Sequence, residues 1–190
     1  METGLGDISL TALLGWQNGA HHWNLAATGF LPTGKYSPIR LAFVGLNRPG
    51  VDIKGAYTWL NPKKGLELSV GAGLTFNWEN GDTHYKTGDE LHLEAAVIQH
   101  LSSGWAVGGG AYQYVQISGD SGAGAKLGPF KGQVTAVGPL ASYTFKAWGR
   151  PVQLAGRWFH EFGVHNRASG DSVALGIVVP LASFVPPQSH

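Results

Sequence analysis

The 190-residue sequence has no cysteine, and its charged residues make up only 13% of the chain. The absence of cysteine excludes disulfide bonds, thiolate metal sites and a cysteine nucleophile. Soluble domains usually have about 25% charged residues, so this chain has little of the surface charge that keeps such domains in solution. The net charge of +1 gives no basic field, and we expect no nucleic-acid partner.

Long apolar runs are also missing. No stretch of 18 or more apolar residues occurs, so no transmembrane helix is predicted. Residues 1–4 have neither a basic region nor an apolar segment, and therefore no signal peptide is predicted. Glycine is in excess instead, with 29 residues, about twice the usual share of roughly 7%.

A hydrophobic period of two residues dominates the sequence and is clearest over 66–79. Even positions there are apolar, from Leu66 to Trp78, whereas odd positions are small or polar, from Glu67 to Glu79. This alternation indicates a β-strand with two different faces. At about 3.4 Å per residue and a tilt near 45°, such a strand rises on the order of 30 Å, enough to cross a bilayer.

The same pattern predicts nine strands in a single domain covering residues 1–190. We expect Pro139, inside the seventh strand, to mark a β-bulge. The predicted strands span 6–17, 22–32, 51–60, 65–79, 88–101, 104–118, 131–146, 151–165 and 171–182.

The predicted connections alternate in length. They are short after strands one, three, five and seven, and long over 33–50, 80–87 and 119–130. Short periplasmic turns and long external loops are typical of outer-membrane barrels. Four tryptophans near the short turns predict a membrane-interface girdle, although a soluble barrel could also place Trp at its end. They are Trp16, Trp23, Trp59 and Trp105.

We therefore predict an all-β fold, a transmembrane antiparallel up-and-down β-barrel in contact with lipid or detergent. A soluble sandwich or lipocalin would give the same alternation. The polar face decides between them, because glycine and small polar groups suit a narrow wet interior. The broad apolar face would aggregate if it were exposed to water.

Charged residues on the polar face are the candidate site. Asp52 and Lys54, from strand three, should face the interior together with charged residues of strands four, five and eight. Two interpretations remain open: ion pairs that hold the barrel's shape, and a lumen constriction that selects permeants. Acid–base hydrolysis by Glu90 and Glu94 has no further support. The predicted lumen-lining residues are Glu67, Glu90, His92, Glu94, Arg157 and Glu161.

Three short motifs resemble enzyme or metal sites, and their context argues against each. The run Gly119–Gly122 lies in a long loop, without the histidine and aspartate of a serine protease. The phosphate-loop spacing over 29–35 is followed by Tyr36 and by no helix. His160 and His165 would face opposite sides of a strand. We predict no enzyme activity, no cofactor and no metal site.

Several segments, in preserved order over nearly the whole chain, resemble one family of outer-membrane proteins, the "MetA-pathway of phenol degradation" family. The segments are Leu5-Gly6-Asp7, Leu13-Leu14-Gly15-Trp16, His22-Trp23-Asn24-Leu25, Leu31-Pro32-Thr33-Gly34, Gly88-Asp89-Glu90-Leu91-His92-Leu93, Gly104-Trp105-Ala106-Val107-Gly108, Ser118-Gly119-Asp120-Ser121-Gly122 and Gly149-Arg150-Pro151-Val152.

The resemblance implies a monomeric barrel of twelve strands in the bacterial outer membrane that passes small hydrophobic or aromatic compounds inward. Family members have a signal peptide and about three further strands at the N-terminus. We therefore expect nine strands of twelve here, with the signal peptide and three strands lacking. The loop alternation agrees, because a chain entering from the periplasm needs an odd number of strands before strand one. The rival expectation is that the nine strands close on themselves.

The predicted function is a passive outer-membrane channel for a small-molecule permeant. The alternative is a non-transporting outer-membrane barrel that binds a hydrophobic ligand or serves as a structural or adhesive protein. An outer-membrane enzyme is a third class, but it would need a Ser/His or His/Asp pair at the rim, and the sequence offers none.

Overall fold

The structure is a computed structural model that describes residues 4–39 and 44–180, and these residues form one antiparallel sheet of nine strands. Each strand pairs with the next along the chain, so the topology is up-and-down. All nine predicted strands are confirmed to within a few residues; 181 and 182, predicted for the ninth, lie outside the described residues. The strands are β1 (Ile8–Asn18), β2 (His21–Leu31), β3 (Gly50–Asn61), β4 (Leu66–Asn77), β5 (Glu90–His100), β6 (Trp105–Gln116), β7 (Gln133–Ala147), β8 (Arg150–His165) and β9 (Asp171–Val178).

The sheet curves into a half-barrel with its apolar face outward. In β4, Leu68, Val70 and Leu74 are 41%, 54% and 38% exposed on the outer face. On the opposite face Asn77 is only 6% exposed, and the Glu67 carboxylate accepts hydrogen bonds from inner-face neighbours. Since side chains alternate along a strand, the two-residue hydrophobic period produces these two surfaces directly. Within the described ranges, no helix has the length and apolar character needed to cross a membrane.

The buried apolar residues are few, and most lie on the inner face of β6, β7 and β8. Ala106, Val134, Ala136 and Phe159 are each less than 9% exposed. A curved wall that turns its apolar face outward has little apolar surface left to bury inside. This small inner core supports one side of the cavity described below.

The connections follow the predicted alternation of short and long. Hairpins of two to four residues join the strand pairs at 19–20, 62–65, 101–104 and 148–149. Longer segments, 32–49, 78–89 and 117–132, connect the strands at the other end. The β7–β8 turn places Trp148 and Gly149 at φ 51° and 73°, the left-handed pair that a two-residue type I′ hairpin requires.

The expected bulge at Pro139 is wrong. Register between β7 and β8 is the same on both sides of Pro139, as the pairs Val137–His160 and Leu140–Arg157 show. The register shift lies instead between Gln133 and Thr135, opposite Gly163, which has φ 61°. An extra strand residue requires a local backbone conformation that glycine adopts without strain, whereas proline in a strand only removes one hydrogen-bond donor.

The long connections pack against one another and form a fixed rim. Lys86 pairs with Ser121 in an isolated antiparallel bridge. The Tyr85 hydroxyl donates a hydrogen bond to Asp120, which also accepts the Gly88 amide at 3.2 Å. Burial and, to a smaller degree, the hydrogen bond to Asp120 together raise the pKa of Tyr85 to about 12. These contacts join two of the three long connections, and Asn47 of the third donates a hydrogen bond to Asp82 at 2.9 Å.

The two edges of the sheet are open. Among the described residues, β1 pairs only with β2 and β9 only with β8. The nine described strands therefore do not close on themselves. Because the number of strands is odd, β1 and β9 run in the same direction.

Candidate functional site

The strand pairing places all six predicted lumen residues on the inner face. Glu67 is on β4, three residues are on β5, and Arg157 and Glu161 are on β8. Asp52 and Lys54 of β3 face the same side, where they contact β4 and β5 residues. Their positions along the strands separate them into distinct groups.

Glu67 belongs to a polar group near the short turns. Its carboxylate lies 2.7 Å from His100 Nε2 and accepts a hydrogen bond from the Ser69 hydroxyl at 2.8 Å. Ser69 is also 2.8 Å from the Thr58 hydroxyl. The strand pairing sets Glu67 eight residues along the sheet from Glu90, roughly 27 Å at strand spacing. Glu67 therefore does not share a constriction with Glu90.

The second group joins β3, β4 and β5. Lys54 donates a hydrogen bond to the Glu94 carboxylate. The His92 ring lies between two carboxylates, with Nε2 2.8 Å from Asp52 and Nδ1 3.6 Å from Glu94. Thr75 donates to the same Asp52 oxygen at 2.8 Å. Each charge here has a close partner, as the ion-pair interpretation of the sequence expects.

Glu90 lies toward the long loops, beside Arg48. A guanidinium nitrogen of Arg48 is 3.8 Å from the Glu90 carboxylate, and Tyr114 interacts with both side chains. The other terminal nitrogen of Arg48 is buried and has no hydrogen-bond partner among the described residues. Arg48 thus keeps an unused donor at the loop end of the interior.

The opposite wall combines an acid, two arginines and aromatic rings. The Tyr112 hydroxyl donates to Glu161 at 2.7 Å, and the Gly170 amide donates to the second Glu161 oxygen at 3.1 Å. Arg167 lies 3.6 Å from Glu161 and 5.0 Å from the centre of the Tyr114 ring. Phe159 meets Tyr112 edge-on at 5.2 Å.

One cavity of about 490 Å³ lies between these two walls. Four of the six predicted residues line it: His92, Glu94, Arg157 and Glu161. Glu67 and Glu90 lie outside its lining. The cavity contains three permanent cations, Lys54, Arg157 and Arg167, and two carboxylates, so one positive charge is in excess.

Sequence reasoning missed several of the lining residues. Tyr112 and Tyr114 occupy alternate positions of β6, and that spacing alone could have assigned both to the inner face. Arg167, which lines the cavity, and Arg48, which lies outside its lining beside Glu90, are both in connections, where no strand period exists to orient a side chain. Their placement depends on loop packing, which the sequence pattern does not encode.

The four predicted girdle tryptophans lie on the outer face at the short-turn end. Trp16 and Trp23 are directly opposite each other in the β1–β2 pair. Trp59 pairs across from outward Leu68, and the Trp105 ring lies 4.9 Å from that of Tyr143. Aromatic rings at one level of an apolar surface are typical of the boundary between hydrocarbon and headgroups.

An antiparallel wall with an apolar exterior, an aromatic belt and a polar cavity inside defines the membrane β-barrel class. The chain belongs to the family described as "Putative MetA-pathway of phenol degradation", which matches residues 1–177. The fold is similar to the crystal structure of an outer membrane channel from Pseudomonas putida F1, with a TM-score of 0.77 and 16% identity. That similarity covers 93% of this chain and 66% of the solved chain, so this chain spans just under two thirds of its length. Among curated proteins, none matches this chain.

Proposed function

We propose that this chain forms most of the wall of a bacterial outer-membrane channel, through which small aromatic or hydrophobic compounds diffuse passively. The observation that supports this most directly is the two-sided sheet, with leucine and valine outside and paired charges inside. Ion pairs such as Lys54–Glu94 hold the polar wall in shape without closing the cavity. Passive diffusion needs only a wet path, and we assign no catalytic residue.

A channel wall must be closed, and we propose that further antiparallel strands join β1 to β9. Since β1 and β9 run in the same direction, only an odd number of added strands keeps every contact antiparallel. The family resemblance suggests three, which gives a barrel of twelve strands. The greater length of the solved relative leaves room for such strands.

The test of the channel wall uses neighbouring residues on β5 and the absence of native cysteine. Ala96 lines the cavity, whereas Val97 is 54% exposed on the outer face. In liposomes, Ala96→Cys should react quickly with a membrane-impermeant thiol reagent, because water fills the interior. Val97→Cys should stay unlabelled in the hydrocarbon. Equal labelling of both, or labelling of Val97→Cys alone, would contradict the proposed orientation.

A second candidate function is ligand binding without passage. The packing of the loops around Tyr85 and Asp120 favours it, because a fixed rim could cover one end of the cavity. Current across a planar bilayer separates the two functions. Labelling of Ala96→Cys together with discrete ion currents supports a channel, whereas labelling without current supports the binding protein.

A further inference from the structure

Arg157 differs from the other charges of the cavity. Lys54 is paired with Glu94, and Arg167 lies beside Glu161. Within residues 4–39 and 44–180, no carboxylate lies within ion-pair distance of Arg157, although its side chain lines the cavity. It lies near the middle of β8, close enough to Tyr112 to interact with its hydroxyl electrostatically.

An ion without a partner at membrane depth is costly, so charged residues there usually mark a path for ions or substrates. The nearby acid does not compensate for Arg157. Both oxygens of Glu161 already have partners, in Tyr112 and the Gly170 amide. The excess positive charge of the cavity is therefore concentrated at Arg157.

Aromatic surface lies beside this guanidinium. The rings of Tyr112, Tyr114 and Phe159 all line the same cavity, and Phe159 and Tyr112 already make the edge-to-face contact that aromatic rings prefer. Arg167 stacks above Tyr114. A flat ring can therefore contact this wall while an anionic group on it reaches Arg157.

We propose that Arg157, with the rings of Tyr112, Tyr114 and Phe159, forms a binding site for aromatic carboxylates. The inference deepens the proposed channel function and rests on it. The planar guanidinium of arginine matches a carboxylate with two parallel hydrogen bonds. A phenol is neutral near pH 7, because its pKa is about 10, whereas a carboxyl group with a pKa near 4 is charged. The site therefore favours aromatic acids over uncharged phenols.

Further arginines extend from this site toward the long loops. Arg167 lies over the Tyr114 ring. Arg48 interacts electrostatically with the same tyrosine, and one of its nitrogens has no hydrogen-bond partner among the described residues. An anion entering from the loop end would meet Arg48 and Arg167 before Arg157. The approach path is therefore positively charged, like the site itself.

The experiment measures binding of benzoate to the detergent-solubilised chain by calorimetry. Two other probes separate the parts of the site: benzyl alcohol, which keeps the ring without the charge, and cyclohexanecarboxylate, which keeps the charge without the aromatic ring. We expect benzoate to bind at least tenfold more tightly than either. Equal affinity for benzoate and benzyl alcohol would overturn the role of Arg157, and equal affinity for the two carboxylates would overturn that of the rings.

Arg157→Gln should weaken benzoate binding about tenfold and leave benzyl alcohol unaffected. The matched control is Lys146→Gln, because Lys146 is a cation of β7 outside the cavity lining, and it should bind benzoate as the native chain does. An Arg157→Gln variant with native circular dichroism and native affinity for benzoate would refute the proposal. If this variant does not fold, the comparison of the three probes on the native chain still decides it. Benzoate binding does not require passage, so its loss and a loss of ion current are separate outcomes.

Discussion

At the residue scale, the burial of Tyr85 makes the stability of the folded protein depend on pH. Its pKa is raised to about 12 by burial and then by the hydrogen bond to Asp120. The folded protein therefore retains the Tyr85 proton between pH 10 and 12, where the unfolded chain releases it. Tyr85 contributes to stability below pH 10, and that contribution is lost as pH rises toward 12.

We expect the difference in phenolate absorbance between the native chain and Tyr85→Phe to titrate near pH 12. Asp120→Asn removes the acceptor's charge and should lower that midpoint toward 10. Asp82→Asn is the control, since Asp82 bonds to Asn47 in the same rim and not to Tyr85. A Tyr85 midpoint near 10 in the native chain would show that the rim is open in solution.

Single residues also mark how far sequence reasoning extends. The inward position of Glu94 follows from its place in an alternating strand, and its pairing with Lys54 requires only that β3, β4 and β5 be adjacent. Arg167 could not be found in this way, because it follows the β8 strand and bulge and is oriented by contacts with Glu161 and Tyr114. Strand periodicity therefore predicts the strand-borne half of the cavity and misses the part contributed by connections.

At the scale of elements, the close approach of β7 and β8 explains why a glycine occupies position 138. A Cβ atom on Gly138 would lie 1.7 Å from the Trp158 carbonyl oxygen, so the two strands approach closely only with glycine there. The neighbouring Gly109 of β6 has its nearest such contact at 3.9 Å. The two positions are suited to a matched comparison.

Gly138→Ala should destabilise the protein by about 1–3 kcal/mol, because the added methyl forces the backbones apart. Gly109→Ala should be close to neutral. Thermal unfolding in detergent, followed by circular dichroism, measures both. Equal melting temperatures for the two variants would mean that β7 and β8 are not packed as closely as described.

The elements themselves were predictable to a large degree. A strict alternation such as that of β4 encodes both the strand and the direction of each side chain, and turn residues such as Asn18-Gly19 mark the ends. The bulge is the exception, because a proline inside a strand predicts an irregular point that the register does not show at Pro139. The structure tolerates Pro139 in regular register and places the extra residue at Gly163, whose role depends on pairing with β7.

At the scale of the whole molecule, the part of the chain that the structure describes is a wall with two open edges. In hydrocarbon, each unpaired backbone group costs several kcal/mol, so edges as long as β1 and β9 cannot remain free in a membrane. Direct pairing of β1 with β9 would be parallel, unlike every other contact in the sheet. Two copies joined edge to edge in the same membrane orientation would also have to pair their edge strands in parallel.

Because β1 and β9 run in the same direction and do not pair with each other, we predict a specific pattern of hydrogen exchange for the chain in detergent micelles. Backbone amides of β1 and β9 should exchange much faster than those of β4, β5 and β6, which are paired on both sides. Self-closure of nine strands would instead protect both edges equally at every protein concentration, and pairing between copies would protect them only as the concentration rises. Either pattern would refute closure by added strands, because the backbone groups of both edge strands would already be hydrogen-bonded. Rapid exchange confined to β1 and β9 would show that both edges are unpaired, and added antiparallel strands would then be the arrangement able to complete the wall.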